Sequence, residues 1–294
     1  MRAILSASAL GFATISSYFT SSYAMQTAAP AATPSPYSYA DIADLATIAP
    51  MAIHARIHKV AALKPAQAPG LKAGLARFYV EADVISLIRG TGPLAARITY
   101  LVDLPLDAGG KPPKLKRKQP VLLFARPVAG PTPGTNSTGS VRLVAPDAQL
   151  PWDPATEAKL RAILTEVVKP GAPPAITGIG NGFHVPGTLP GEGETQLFLD
   201  TKTGEPVSLT ILTAPDGSRR WAAAFGEIVD ESAAVPARET LAWYRLACGL
   251  PRDLPLSKLA GTAPEDRRKA ASDYAVVLGA LGECTRTRTP PAGN

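Results

Sequence analysis

Three histidines are the side chains of this chain best suited to acid–base or metal chemistry near neutral pH. His54 and His58 are four residues apart, which places both on one face of a strand or a helix. Two imidazoles can hold zinc or copper, but such a site needs a third ligand, and no acid lies nearby in sequence. Arg56 between them also disfavours a cation. The pattern favours an exposed strand face and predicts no metal site.

His184 lies in a glycine-rich segment, residues 178–187. Glycines let a backbone approach a ligand closely, and histidine is the usual general base at neutral pH. The acids that could orient it are Asp200, Glu192 and Glu194. No Gly-x-Ser-x-Gly nucleophile motif occurs anywhere in the chain. We therefore favour a hydrogen-bonded histidine among structural glycines, and the alternative is the base of a hydrolase.

Nucleotide and metal motifs are missing from the sequence, which has no Walker A, His-Glu-x-x-His or EF-hand pattern. We predict no cofactor. The net charge of +6 is mild for 294 residues, whereas nucleic-acid binders usually concentrate such charge on one face. We predict no nucleic-acid partner.

Positive charge is concentrated in one segment between residues 111 and 118, where no acid occurs. Prolines and a Gly-Gly pair flank or interrupt it, so we predict a loop. A solvated hairpin tip is the simpler interpretation, and contact with an anionic envelope polymer or lipid headgroups is the functional one. The candidate anion-binding residues are Lys111, Lys114, Lys116, Arg117 and Lys118.

The N-terminus has the features of an export signal. Arg2 is the only charge before Asp41, an apolar stretch follows it, and Ser22-Tyr23-Ala24 offers small residues for cleavage. We predict a signal peptide over residues 1–24, a periplasmic or secreted mature protein, and no transmembrane helix in the mature chain. A retained N-terminal anchor is the alternative.

Only two cysteines occur, Cys248 and Cys284. In an exported protein an even pair indicates one disulfide, whereas two buried thiols would be expected if the signal were not used. A redox function is not indicated, because no Cys-x-x-Cys motif exists.

Hydrophobic periodicity divides the rest of the chain into two predicted domains. Residues 25–39 form a flexible leader, and residues 40–150 begin with a short helix. That domain continues with five strands of alternating character, which predict a small barrel. The five strands are predicted at 53–60, 77–88, 97–102, 121–125 and 141–144.

Residues 151–290 are predicted to form an α+β domain. A helix capped by Asp153 precedes an antiparallel four-stranded meander, and two helices end the domain. The last helix begins at a capping box of Thr262 and Glu265. Its predicted apolar stripe is Ala271, Tyr274, Leu278 and Leu281. The fold class is therefore α+β: a mainly-β barrel, then an antiparallel sheet with C-terminal helices.

The first domain resembles exported OB-type barrels, the group that includes netrin and metalloproteinase-inhibitor-like domains. The likeness rests on 43–45 (Ala-Asp-Leu), on the strand that runs into Arg89-Gly90, and on 118–124, where Gln119 replaces an expected glycine. The resemblance implies an OB-like barrel. Inhibitors of that group bind a metal through an N-terminal cysteine, which the predicted mature start lacks, so that mechanism is not implied.

The second domain resembles exported alphaproteobacterial proteins without an assigned activity, most distinctly over residues 240–251. That resemblance implies an exported protein and does not indicate an activity. We predict a non-catalytic exported binding or envelope-assembly module, whose partner is an envelope protein or an anionic envelope polymer. A periplasmic hydrolase that uses His184 with a nearby carboxylate is the alternative.

Overall fold

The computed structural model describes residues 35–130, 136–226, 233–259 and 263–288. The predicted signal peptide, most of the predicted leader and the predicted cap Thr262 lie outside these residues. The last leader residues already contact the folded chain: the Ser35 hydroxyl lies 2.7 Å from that of Thr156.

Six strands form the first sheet. Each predicted strand is present and extends beyond its predicted bounds at one or both ends. The strands are Met51–Ala62 (β1), Leu75–Arg89 (β2), Arg97–Pro105 (β3), Pro120–Ala129 (β4), Asn136–Leu143 (β5) and Gln149–Pro151 (β6).

The first five strands close into a barrel in the order β1-β2-β3-β5-β4, because β4 pairs back onto β1, from Met51 opposite Ala125 to Arg56 opposite Pro120. All pairs are antiparallel except that of β3 with β5, which is parallel and consists of one position, Thr99 opposite Ser140. The short strand β6 continues the edge of β4 beyond β5. The predicted barrel is confirmed.

Alternation along the strands fills the barrel. On β3, Ile98, Tyr100 and Val102 are buried, while Leu101 between them is 47% exposed. Phe124 is fully buried on β4. Burying a side chain of this size stabilises the folded state by about 2–3 kcal/mol.

Two helices adjoin the barrel. The first, Tyr39–Ile48 (α1), begins at a capping box between Ser38 and Asp41. The second, Pro154–Val167 (α2), begins with Asp153 accepting a hydrogen bond from the Thr156 amide, as predicted. Arg89 on β2 donates to the carbonyl of Ala46, which fixes the end of α1 against the barrel.

The second sheet is an antiparallel meander of four strands in the order β10-β9-β8-β7. Its strands are Ile176–Pro186 (β7), Gly193–Thr201 (β8), Val207–Thr213 (β9) and Arg219–Phe225 (β10). One face carries the buried residues Leu197, Leu209 and Ile211. This sheet confirms the predicted meander.

Two further helices, Leu241–Gly249 (α3) and Pro264–Leu281 (α4), pack on that face. Cys248 on α3 and Cys284 after α4 form the predicted disulfide, with Cα atoms 5.2 Å apart. The buried stripe of α4 differs from the predicted one, because Ala271 and Leu278 are only partly buried. The buried side of α4 consists of Ala270, Asp273, Tyr274, Val277 and Leu281.

Acidic residues of α1 hold the C-terminal segment. Asp41 is fully buried and accepts hydrogen bonds from the amides of Thr287 and Arg288. Asp44 accepts from the Tyr244 hydroxyl at 2.7 Å and pairs with Arg286. The segment before the barrel thus contacts the C-terminal segment through hydrogen bonds rather than apolar packing alone.

Among the described residues, we find no helix that combines the length and apolar character needed to span a membrane.

Candidate functional sites

A buried hydrogen-bond chain surrounds His184 on the second sheet. His184 on β7 is directly opposite Thr195 on β8, and its Nδ1 lies 2.8 Å from the Thr195 hydroxyl oxygen. That hydroxyl donates to Asp273 Oδ2 on α4 at 2.6 Å. The side chains of His184 and Asp273 are each only 2% exposed.

Arg219 completes this chain at the edge of the sheet. Its Nε lies 2.7 Å from Asp273 Oδ1, and the Thr213 hydroxyl donates to the same oxygen at 3.4 Å. A buried carboxylate is stable when it is paired and hydrogen-bonded in this way. We call these residues the His184 network: His184, Thr195, Thr213, Arg219 and Asp273.

The order of donors determines where the histidine proton lies. Thr195 has one hydroxyl hydrogen, which it donates to Asp273, so its oxygen accepts from His184 Nδ1. Nε2 of the neutral ring therefore carries a lone pair. Burial lowers the pKa of His184, and the charge of Asp273 opposes that effect only in part. The ring is neutral at pH 7.

His184 Nε2 is buried and has no hydrogen-bond partner among the described residues. A cavity of about 200 Å³ adjoins the ring and is lined also by Glu192, Arg219 and Lys269. Gly193 makes room for the ring, because a Cβ at that position would lie 2.8 Å from Nε2. Among the described residues, the cavity lining includes neither a serine nor a cysteine.

The acid that orients His184 is not one of those expected from sequence. Asp200 is exposed, and Glu194 accepts a hydrogen bond from the Gln196 side chain. Glu192 lines the cavity but accepts hydrogen bonds from Thr188 and Leu189. Asp273 has this function instead, through Thr195. The sequence contained one indication of this contact, because Asp273 is the only acidic residue on the buried, otherwise apolar side of α4.

His54 is buried, which corrects the predicted exposed strand face. Its ring stacks on Trp152 at 4.5 Å, and Nδ1 lies 3.3 Å from Glu157. Burial lowers the pKa of His54, and Glu157 opposes that effect. His58 lies instead beside Asp83, at 3.3 Å. Within the described part of the chain, no three potential ligands come together as a metal site.

An open groove of about 510 Å³ crosses the outer surface of the barrel where β3 and β5 separate. Tyr79 and Leu101, which are opposite each other on β2 and β3, supply an apolar wall. Beside them, Arg77 donates to both oxygens of Asp103 at 2.7 Å. We call this feature the barrel groove.

Two arginines next to the groove have no acidic partner among the described residues. Arg142 on β5 lines the groove, and Arg126 on β4 is directly opposite it, so both side chains lie on the same face. Both are exposed, and neither forms an ion pair with any described residue. Like charges directly opposite each other on paired strands destabilise a sheet.

The predicted basic loop lies in the connection between β3 and β4. All five of its candidate cations are exposed. Arg117 donates to the carbonyl of His58 at 3.0 Å, and the Lys118 amide donates to the carbonyl of Ile57. The backbone of the loop is thus fixed to β1, while the lysine side chains extend into solvent.

Comparison with known proteins supplies no further guide to these sites: no family model matches the chain, and no curated protein matches it either.

Proposed function

We propose that this protein is a non-catalytic exported binding module that holds its ligand in the barrel groove. The strand order β1-β2-β3-β5-β4, closed by β4 on β1, supports assignment of the barrel to the OB type. In such barrels the outer face of the second and third strands is the usual ligand surface. Here that face carries Tyr79, Leu101 and the Arg77–Asp103 pair.

The groove itself is the observation that carries this proposal. It is open to solvent, it places an exposed apolar side chain beside fixed polar groups, and it requires no conformational change to admit a ligand. Sites with apolar walls and a few fixed polar groups are typical of ligand recognition.

The hydrolase alternative has one supporting observation, the orientation of His184 by Asp273 through Thr195. A general base is commonly oriented by an acid in this way. However, a base must reach the proton that it abstracts, and His184 Nε2 is covered. The adjoining cavity also lacks a serine or cysteine nucleophile among its described lining residues. We therefore prefer the binding module.

Retention on isolated cell envelopes tests the two functions against each other. We expect a Tyr79→Ser/Leu101→Ser variant to lose retention, because both changes remove the apolar wall of the groove. A His184→Gln variant should be retained like the unchanged protein. The proposal would be wrong if the His184→Gln variant lost retention while the Tyr79→Ser/Leu101→Ser variant kept it.

The export part of the proposal rests on the N-terminal sequence and is consistent with the disulfide. N-terminal sequencing of the protein recovered from the periplasm or medium should begin at Met25. A soluble protein that begins at Met1 would contradict it.

A further inference from the structure

Among the described residues, exposed arginines without an ion-pair partner occur at two places on the barrel strands: Arg56 alone on β1, and an adjacent pair on β4 and β5. Five arginines lie on β2 to β5, and these strands carry no lysine. Arg77 and Arg97 pair with Asp103 and Asp83, and Arg89 donates to a helix carbonyl. Of these five, only Arg126 and Arg142 are left without a partner among the described residues, and these two are opposite each other.

Such a pair has an energetic cost in the free protein, because two guanidinium groups on adjacent strands repel each other. The cost is removed when an anion lies between them. A guanidinium group also presents two parallel N–H donors, which fit the two oxygens of a carboxylate. The pair is therefore suited to a carboxylate-bearing ligand.

The rest of the groove restricts the ligand further. The wall of Tyr79 and Leu101 can contact a flat apolar surface, such as the face of a pyranose ring. Each oxygen of Asp103 accepts one hydrogen bond from Arg77 and keeps a lone pair for a hydroxyl donor. Thr99 and Ser140 add hydroxyl groups 3.0 Å apart at the seam. An apolar face, several hydroxyls and a carboxylate occur together in an acidic sugar.

From this combination we infer that the barrel groove binds an acidic polysaccharide, with Arg126 and Arg142 holding its carboxylates and the Tyr79–Leu101 wall contacting its sugar rings. The inference rests on the proposed function, since it names the ligand class of the same groove. The basic loop between β3 and β4 carries five further exposed cations.

Binding of polygalacturonate to the full mature protein tests the inference, with neutral dextran and poly-L-glutamate as comparison polymers. We expect polygalacturonate to bind most tightly. An Arg126→Gln/Arg142→Gln variant should bind it about tenfold more weakly or worse, which corresponds to the loss of at least one charge-assisted hydrogen bond. Its melting temperature should be unchanged or slightly higher, because the repulsion is removed.

The matched control is Arg252→Gln/Arg268→Gln, which removes the same charge from exposed positions in the second half of the chain. It should bind like the unchanged protein. Equal weakening in both variants would show attraction by net charge alone and overturn the inference. Equal or tighter binding of poly-L-glutamate would also overturn it, in favour of an acidic peptide.

Failure of this inference is distinguishable from failure of the proposed function. Suppose that polygalacturonate does not bind but envelope retention still depends on Tyr79 and Leu101. The proposed ligand class is then wrong, and the proposed function as a binding module is retained. If retention is also independent of the groove, both are wrong.

Discussion

The His184 network and the Arg126–Arg142 pair differ in whether their charged groups are neutralised by neighbouring side chains. Asp273 is buried, and each of its oxygens accepts from a donor, so the network joins α4 to the second sheet. Arg126 and Arg142 are exposed and opposite each other, and neither forms an ion pair within the part of the chain that the structure describes. A satisfied buried group contributes to folding, whereas a repulsive surface pair does not. The His184 network therefore stabilises the fold, whereas the cost of the Arg126–Arg142 pair would be offset only by the ligand that we propose.

Removing the disulfide should have the largest effect on stability, because it ties α3 to the end of α4, the helix that carries Asp273 of the His184 network. We expect Cys248→Ala/Cys284→Ala to lower the free energy of unfolding by about 3–4 kcal/mol, because the bridge closes a long loop and restricts the unfolded chain. Urea denaturation measures the change. An unchanged midpoint would show that packing alone holds α3 on α4.

Truncation of Asp273 should have the next largest effect. Asp273→Ala leaves Thr195 and Arg219 without their acceptor, and breaking a buried, paired group of this kind costs about 3 kcal/mol. Glu265→Ala, an exposed change in the first turn of the same helix, is the control and should cost only a few tenths of a kcal/mol. Similar losses in both variants would mean that helix propensity, not the network, explains the effect.

Mild acid should weaken the His184 network through the histidine itself. The folded-state pKa of His184 lies below its unfolded value, so the unfolded chain binds more protons as pH falls below about 6.5. Stability that is present at pH 7 should therefore decline as pH falls below about 6.5. The urea midpoint measured as a function of pH reports the decline.

His184→Gln is the variant that assigns this acid sensitivity, and it should show a shallower decline. His54, whose pKa burial also lowers, should contribute separately, so His54→Gln is the parallel measurement. Asp41 titrates in a lower window: burial would raise its pKa, but hydrogen bonds from Thr287 and Arg288 outweigh burial and lower it. An identical pH profile for His184→Gln and the unchanged protein would contradict the assignment.

Changes in the basic loop should have the smallest effect on stability. A quadruple variant that replaces Lys114, Lys116, Arg117 and Lys118 by Gln should melt like the unchanged protein, because these side chains are exposed and form no ion pair with described residues. Retention of the unchanged protein on polygalacturonate or anionic vesicles should weaken steeply as salt rises, because salt screens exposed charges. The quadruple variant should lose this salt-sensitive part of the retention. A lower melting temperature would show that the loop is part of the fold.

Local patterns were sufficient to predict the elements. Alternation predicted β3, a capping residue at Asp153 predicted the start of α2, and cysteine parity predicted the disulfide, which the structure pairs. These features depend on neighbours within a few residues, or on a count. The stripe of α4 shows the limit: an apolar periodicity placed Ala271 and Leu278 inward, and the buried side instead includes Asp273.

Tertiary structure alone decided what the polar groups contact. Asp273 lies 78 residues from Thr195 in sequence, and only the packing of α4 on the second sheet brings them within hydrogen-bond distance. The same is true of His54, which is buried because Trp152 stacks on it. No sequence motif includes Arg126 or Arg142, and only the β4–β5 register places them opposite each other. Hydrophobic periodicity is a local property of the sequence and therefore predicts helices and strands. The partner of a charged side chain depends on how helices and strands that are distant in sequence pack together.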